Sequence, residues 1–229
     1  GVPETPEATQ WSIPDYIDPA PYVQGVWVSP DGKQVFYDQL RELTGVEDMS
    51  SYYSKKWCMF MLDTDTGDVI DVAEWIDRSL TAHYDVNYVD YSPDGKHLLV
   101  SMWQRTYPTR TMWYILDAKT KKVVGKIKEG SRGWACWLGN DRIAVSGIVN
   151  KDEYSAIRVH NIQGKVTSRT KFRGQVLTAS RDGGVLAIRG SRLSPTRPIA
   201  PRYADMLAID TRTGKVIASS KKLDDQRGA

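Results

Sequence analysis

The chain has 229 residues, 41% of them hydrophobic, two cysteines and a formal net charge of +3. That length buries most of its surface on folding without a disulfide framework, and no stretch approaches the roughly 18 consecutive apolar residues of a membrane-spanning helix. No apolar leader region opens the sequence, so any secretory signal is expected to have been removed already.

Residues 1–22 carry five of the eleven prolines and no strand pattern, and are read as an extended N-terminal arm. Either the arm is a tether, or Trp11, Ile13, Tyr16 and Ile17 dock on a neighbouring surface. From residue 23 a two-part phrase recurs. Its first half is a turn of the type Ser29-Pro30-Asp31-Gly32-Lys33, repeated as Ser92-Pro93-Asp94-Gly95-Lys96, as the decayed Leu138-Gly139-Asn140-Asp141-Arg142 and as Ser180-Arg181-Asp182-Gly183-Gly184. Its second half is a turn beginning at Asp63, Asp117, His160 and Asp210, most completely Asp210-Thr211-Arg212-Thr213-Gly214-Lys215-Val216. Asp-Gly and Thr-Gly pairs supply the positive φ and the local side-chain bond of a tight hairpin.

Between the turns lie short β-branched and aromatic runs with apolar alternation, which predicts half-buried strands. The first unit predicts strands at Val23–Ser29, Lys33–Asp38, Lys56–Leu62 and Asp68–Trp75, and the second at Val86–Ser92, Lys96–Trp103, Thr111–Leu116 and Lys122–Lys128. The third predicts Gly133–Leu138, Arg142–Ile148, Ser155–Val159 and Lys165–Lys171, and the fourth Gly174–Ser180, Gly184–Arg189, Ala204–Ile209 and Lys215–Lys221.

Four short strands per period of roughly 40 to 60 residues describe a propeller blade, because one four-stranded sheet cannot cover both its faces and must stack on neighbours. Residues 23–222 resemble the β-propeller repeats of TolB-like and YVTN-type (WD-repeat-like) families, on the strength of those two turns. The expected fold is all-β: four-stranded antiparallel blades at about 23–75, 86–128, 133–171 and 174–221, followed by a tail at 223–229. Such propellers usually close with six to eight blades. Four blades therefore form a small ring, a half-ring completed by another chain, or a segment of something longer. Many of these relatives are exported bacterial proteins, so the resemblance implies a periplasmic or extracellular setting.

Cys58 and Cys136 fall on different strands of different repeats and are expected to be two buried thiols rather than a disulfide. Residues 1–50 hold nine acids and two bases, whereas residues 131–229 hold eighteen bases and eight acids. This complementarity is expected to seal the seam between first and last repeats, within one ring or between two chains, and to weaken in about 1 M salt.

Meander order sends the first and third turns of each sheet to one rim and the longer connections to the other. The longer connections are Gln39–Lys55, Gln104–Arg110, Val149–Tyr154 and Ser191–Tyr203, with Ile76–Asp85 between repeats. Partner binding is therefore expected on that rim, through Tyr52, Tyr53, Trp57, Trp103, Tyr107, Arg192, Arg197, Arg202 and Tyr203. Trp57, Trp103 and Trp113 also fit plain packing between blades. Arg192, Arg197 and Arg202 fit an anionic surface, or a solvated basic loop. Nucleic acid is not expected, since these bases are not interleaved with a recognised binding motif.

Nucleophile elbows, phosphate-binding loops, dinucleotide fingerprints, zinc-protease strings and haem-attachment motifs are all missing from the sequence. No cofactor or resident metal is expected. Asp63-Thr64-Asp65-Thr66-Gly67-Asp68 offers alternating carboxylates, but Ca²⁺ takes six to eight oxygens and a turn is the better reading. The expected function is a non-catalytic propeller that binds or scaffolds partners in an extracytoplasmic assembly. The alternatives are a propeller associated with a periplasmic oxidoreductase or other enzyme, and a binder of small ligands or glycans.

Overall fold

A computed structural model describes residues 25–42, 55–76, 84–104, 110–128, 133–149, 153–192 and 205–220. The first four strands, β1 (Val26–Val28), β2 (Gln34–Glu42), β3 (Lys55–Asp63) and β4 (Val69–Asp71), pair antiparallel in sequence order. β5 (Tyr84–Tyr91), β6 (His97–Gln104), β7 (Thr111–Asp117) and β8 (Val123–Lys128) do the same. The remainder, β9 (Gly133–Trp137), β10 (Arg142–Val149), β11 (Glu153–Tyr154), β12 (Ala156–Asn161), β13 (Val166–Ala179), β14 (Val185–Arg192), β15 (Asp205–Asp210) and β16 (Val216–Ser219), makes the third and fourth blades.

The repeat turns form as their side chains demand. Ser29, Ser92 and Ser180 each donate Oγ to the Asp two residues on, at 2.6, 2.8 and 2.7 Å, and each accepts from a backbone N–H across the turn at 2.8–3.0 Å. The second turn uses an Asp cap: Asp117 Oδ1 accepts from the N–H groups of Lys119 and Thr120, and Asp210 Oδ1 from those of Arg212 and Thr213. Serine contacts hold the Asp31 and Asp182 carboxyls below the usual carboxylate range, and the Thr120 and Thr213 N–H groups do so for Asp117 and Asp210. The two turns of a blade also bond to each other. Thr64, Ala118 and Thr211 donate N–H to the carbonyls of Lys33, Lys96 and Gly184 at 2.8–2.9 Å. Tight turns therefore share one rim, and the chain from Glu42 to Lys55, from Gln104 to Thr111 and from Arg192 to Asp205 leaves from the other.

Two strand expectations and one turn expectation are corrected. The segment Asp68–Trp75 is not one strand: β4 ends at Asp71, whose Oδ1 accepts the Ala73 N–H at 2.9 Å and caps a 3-10 helix over Val72–Trp75. An Asp that captures the backbone two residues on diverts it from the ladder. The segments Lys165–Lys171 and Gly174–Ser180 belong to one strand, β13, whose first half pairs with β12 and whose second half pairs with β14. No turn residue interrupts it, and Gly174 faces Gly190, where a Cβ on Gly190 would lie 2.0 Å from the Arg173 carbonyl oxygen. Finally, His160 is not the turn residue. It is buried at the end of β12 with Nδ1 on the Gly164 carbonyl, while Asn161 caps a shorter turn by accepting the N–H groups of Gln163 and Lys165.

Alternation along each strand builds three inter-blade cores. Phe36, Met59 and Met61 of the first blade meet Leu98, Val100 and Met112 of the second. The opposite face of the second blade, with Leu99, Trp113 and Ile115, meets Trp137, Ile143 and Val145 of the third. Ala144, Ile157 and Val159 then meet Leu186, Ile188 and Leu207 of the fourth. Cys58 and Cys136 are both buried and are not joined in a disulfide.

Lys121 occupies the left-handed position, φ 59°, that Gly67, Gly164 and Gly214 fill in the other second-half turns. Such a backbone costs a side-chain-bearing residue about 1 kcal/mol. The cost is offset because Lys121 reaches the first blade: Nζ donates to Gln34 Oε1 at 3.1 Å and sits 4.9 Å from the centre of the Trp75 ring. Gln34 Oε1 also accepts from the Tyr91 hydroxyl. Lys121→Ala loses the clasp and keeps the strain, whereas Lys121→Gly loses both. Urea unfolding is expected to rank wild type first, and glycine above alanine by about 0.5–1 kcal/mol, the reverse of the usual order. Alanine at or above wild type would remove the clasp from the account.

Candidate functional site at the long-connection rim

At the rim opposite the tight turns, the start of β3, the start of β5 and the end of β6 converge. Asp85 is buried, accepts the Trp57 backbone N–H on Oδ1 at 3.2 Å, and is the cross-strand partner of Trp103. The next seam repeats the device: Thr111, opposite Trp103, accepts the Gly133 N–H on Oγ1 at 3.0 Å. A side chain on one blade therefore fixes the strand entry of its neighbour at both seams.

Two of the sequence-predicted residues stand at this rim. Trp57 and Trp103 are each half-buried, and the Trp103 indole N–H is buried with no hydrogen-bond partner among the described residues. A half-exposed indole at a rim offers an apolar surface on which a partner's side chain can pack. Trp113, by contrast, is core: it is 3% exposed and stacks edge-on against Tyr88 with ring centres 5.6 Å apart. Arg192 is the last residue of β14, its backbone opposite Phe172. Tyr52, Tyr53, Tyr107, Arg197, Arg202 and Tyr203 lie outside the described residues, as do the arm and its Trp11, Ile13, Tyr16 and Ile17.

The alternating carboxylates of the first blade are committed to the turn. Asp63 Oδ1 accepts two backbone N–H groups, Asp65 pairs with Lys33 at 2.7 Å, and Asp68 accepts from Thr66 Oγ1 at 2.8 Å. Among the described residues no group of three or more His, Cys, Asp or Glu could hold a metal ion.

Sequence reasoning missed a half-buried carboxylate between the second and third blades. Asp90 lies on β5, accepts from the Tyr88 hydroxyl at 3.2 Å on Oδ2, and its carbonyl accepts the Trp137 indole N–H at 3.2 Å. Burial pushes its pKa up to about 6, against the lowering contact from Tyr88, and burial likewise raises the Cys136 thiol well above its ordinary value. Asp90 sits two residues before Ser92-Pro93 in a strand of otherwise ordinary pattern, so only the stacking of the third blade exposes its situation.

No family model matches the chain. Among solved structures it is similar to the β-propeller domain of the trilobed protease from Pyrococcus furiosus, at 15% identity and a TM-score of 0.55, over 85% of this chain and 55% of that one. It is similar to the uncomplexed acylaminoacyl peptidase of Pyrococcus horikoshii, at 14% and 0.55, over 85% and 31%. A puromycin-hydrolyzing peptidase from Mycobacterium tuberculosis matches at 12% and 0.53, over 86% and 31%. The chain thus spans about half the length of the first and about a third of the other two. At such identities the likeness is one of fold: the chain is an all-β propeller array of four-stranded antiparallel blades.

Proposed function

We propose that the chain is a non-catalytic propeller that binds or scaffolds a partner protein within a larger, extracytoplasmic assembly of the TolB-like or YVTN-type kind. The observation that carries this reading is the inequality of the two rims. One is closed by short turns bonded to each other, and from the other, where Trp57, Asp85 and Trp103 stand, the longer connections depart. Longer connections on a rigid β-scaffold are where binding residues concentrate.

A second reading is an enzyme-associated propeller, favoured by the names of the similar structures, which are peptidases or their propeller domains. In this reading the chain would position or shield a hydrolytic domain. Both readings are tested with the immobilised chain in native extract, comparing wild type with Trp57→Ala and Trp103→Ala. A bound partner whose recovery drops about tenfold or more in either variant, with an unchanged circular-dichroism spectrum, supports the rim as the binding surface. Undiminished recovery sinks it. Hydrolysis of peptide substrates by the recovered partner selects the second reading.

A further inference from the structure

We infer that the outer wall of the second and third blades binds the surface of an anionic lipid bilayer. β8 is the outermost strand of the second blade, and residues 166–171 of β13 form that of the third. Both blades are flanked on either side by blades of this chain, so their outer edges are defined without reference to its ends. The two edges are locked together: a Cβ on Gly125 would lie 2.1 Å from the Ile162 carbonyl oxygen, and one on Gly164 would lie 2.3 Å from the Lys126 carbonyl oxygen. The backbone of Lys126 therefore runs against Gly164, next to Lys165. Residues 118–128 and 156–173, which make these edges and the strand and turns beside them, hold ten bases and no acid. Asp117, just before, has its carboxylate committed to the N–H groups of Lys119 and Thr120, and Glu129, just after, lies outside the described residues. Seven of the ten bases are exposed and six of those are lysines, among them Lys119, Lys122, Lys126 and Lys165. Among them Val123, Val124 and Val166 are 41%, 40% and 46% exposed.

Charge and side-chain type choose the occupant. Bases crowded on neighbouring strands repel one another, and an anionic surface relieves that repulsion. The one Phe, Trp or Tyr of the two segments, Phe172, is buried, so the wall offers no platform on which nucleic-acid bases could stack. Lysine is depleted from the centres of protein interfaces, and lysines along an edge strand oppose its pairing with another strand. Long ammonium side chains around short β-branched ones instead suit lipid headgroups, which attract diffuse positive charge and admit small apolar groups at the boundary with the acyl chains. The wall is separate from the rim that carries Trp57 and Trp103, so this inference stands or falls independently of the proposed function.

At low salt the 229-residue chain is expected to co-sediment with vesicles of one part phosphatidylglycerol to two parts phosphatidylcholine, and hardly at all with pure phosphatidylcholine. Each base near such a surface contributes about fivefold, so Lys122→Gln, Lys165→Gln and Arg169→Gln combined are expected to weaken binding about 100-fold. Val123→Ser combined with Val124→Ser is expected to weaken it several-fold at unchanged charge. Lys122→Arg combined with Lys165→Arg keeps the charge and is expected to bind as wild type does. Equal binding to the two kinds of vesicle, or a triple glutamine variant that binds like wild type, would overturn the inference. So would tighter binding to polyglutamate or to a DNA oligonucleotide than to the charged vesicles, which would assign the wall to an acidic protein or to nucleic acid. All five substituted side chains are exposed, so a circular-dichroism melt within a few degrees of wild type separates lost binding from lost fold. If a variant unfolds, the discrimination of the wild type between the two vesicle compositions and the two soluble polyanions decides alone.

Discussion

Gly125→Ala is expected to cost the fold about 3–5 kcal/mol, because the seam between two blades leaves no room for an added methyl group. On β8, Gly125 passes the second-half turn of the third blade so closely that a Cβ would lie 2.1 Å from the Ile162 carbonyl oxygen and 2.8 Å from the Gln163 carbonyl carbon. The approach is mutual: a Cβ on Gly164 would lie 2.3 Å from the Lys126 carbonyl oxygen. Backbone meets backbone on both sides, so no side chain can swing away and the seam itself must open. The comparison that isolates this mechanism is Gly214→Ala. Gly214 has φ 64° but nothing within 4 Å of an added Cβ, so the substitution bears only the left-handed penalty of about 1 kcal/mol. Thermal unfolding is expected to show Gly125→Ala roughly 10 °C below wild type and Gly214→Ala within a few degrees of it. The reverse ranking would mean that blade spacing relaxes freely at this seam, contrary to the tight packing of Trp113, Ile115, Trp137 and Ile143 around it.

The second large effect is a gain. Asp90→Asn is expected to stabilise the fold at neutral pH by up to about 3 kcal/mol and to leave it nearly unchanged near pH 4. Burial between blades raises the Asp90 carboxyl to about 6, so the folded state holds this proton more tightly than the unfolded chain does. Its contribution is therefore intact below the ordinary carboxylate value and is lost as pH climbs to about 6, beyond which the penalty is complete. Asparagine keeps an oxygen for the Tyr88 hydroxyl without the charge. The turn carboxylates Asp31, Asp117, Asp182 and Asp210 act in the opposite sense: their lowered values contribute stability that is present above the ordinary value and lost on further acidification. Wild type should therefore be most stable near pH 4–5, and Asp90→Asn should flatten the decline above it. Urea midpoints across pH 3.5–8 test both. A variant less stable than wild type at pH 7.5 would show that the ionised carboxylate is favourably solvated in its pocket.

Much of the fold was legible because its signals are local. A Ser-Pro-Asp-Gly turn closes through its own serine and aspartate within five residues, so Ser29, Ser92 and Ser180 announce hairpins wherever they stand. The third repeat, which lost that serine, was still found from its flanking alternation, because Leu138 N–H bonds the Arg142 carbonyl without side-chain help. Errors arose where a side chain had two uses. Asp71 read as a strand residue and acts as a cap, and His160 read as a turn residue because its neighbour Asn161 had taken that role in a shorter loop.

The candidate site was legible only in outline. Trp57 and Trp103 were chosen from their place beside long connections, but nothing local links them to Asp85, which approaches from 28 residues away. The same limit hid Asp90, Gly125 and Lys121, each ordinary in its own strand or turn and decisive only against a neighbouring blade. The order of residues thus determined the strands, the turns and the sharing of rims, since hydrogen bonds within a hairpin depend on near neighbours alone. The packing of sheet on sheet decided which carboxylate is starved of water and which glycine admits no methyl, because those properties belong to pairs of surfaces far apart in the chain.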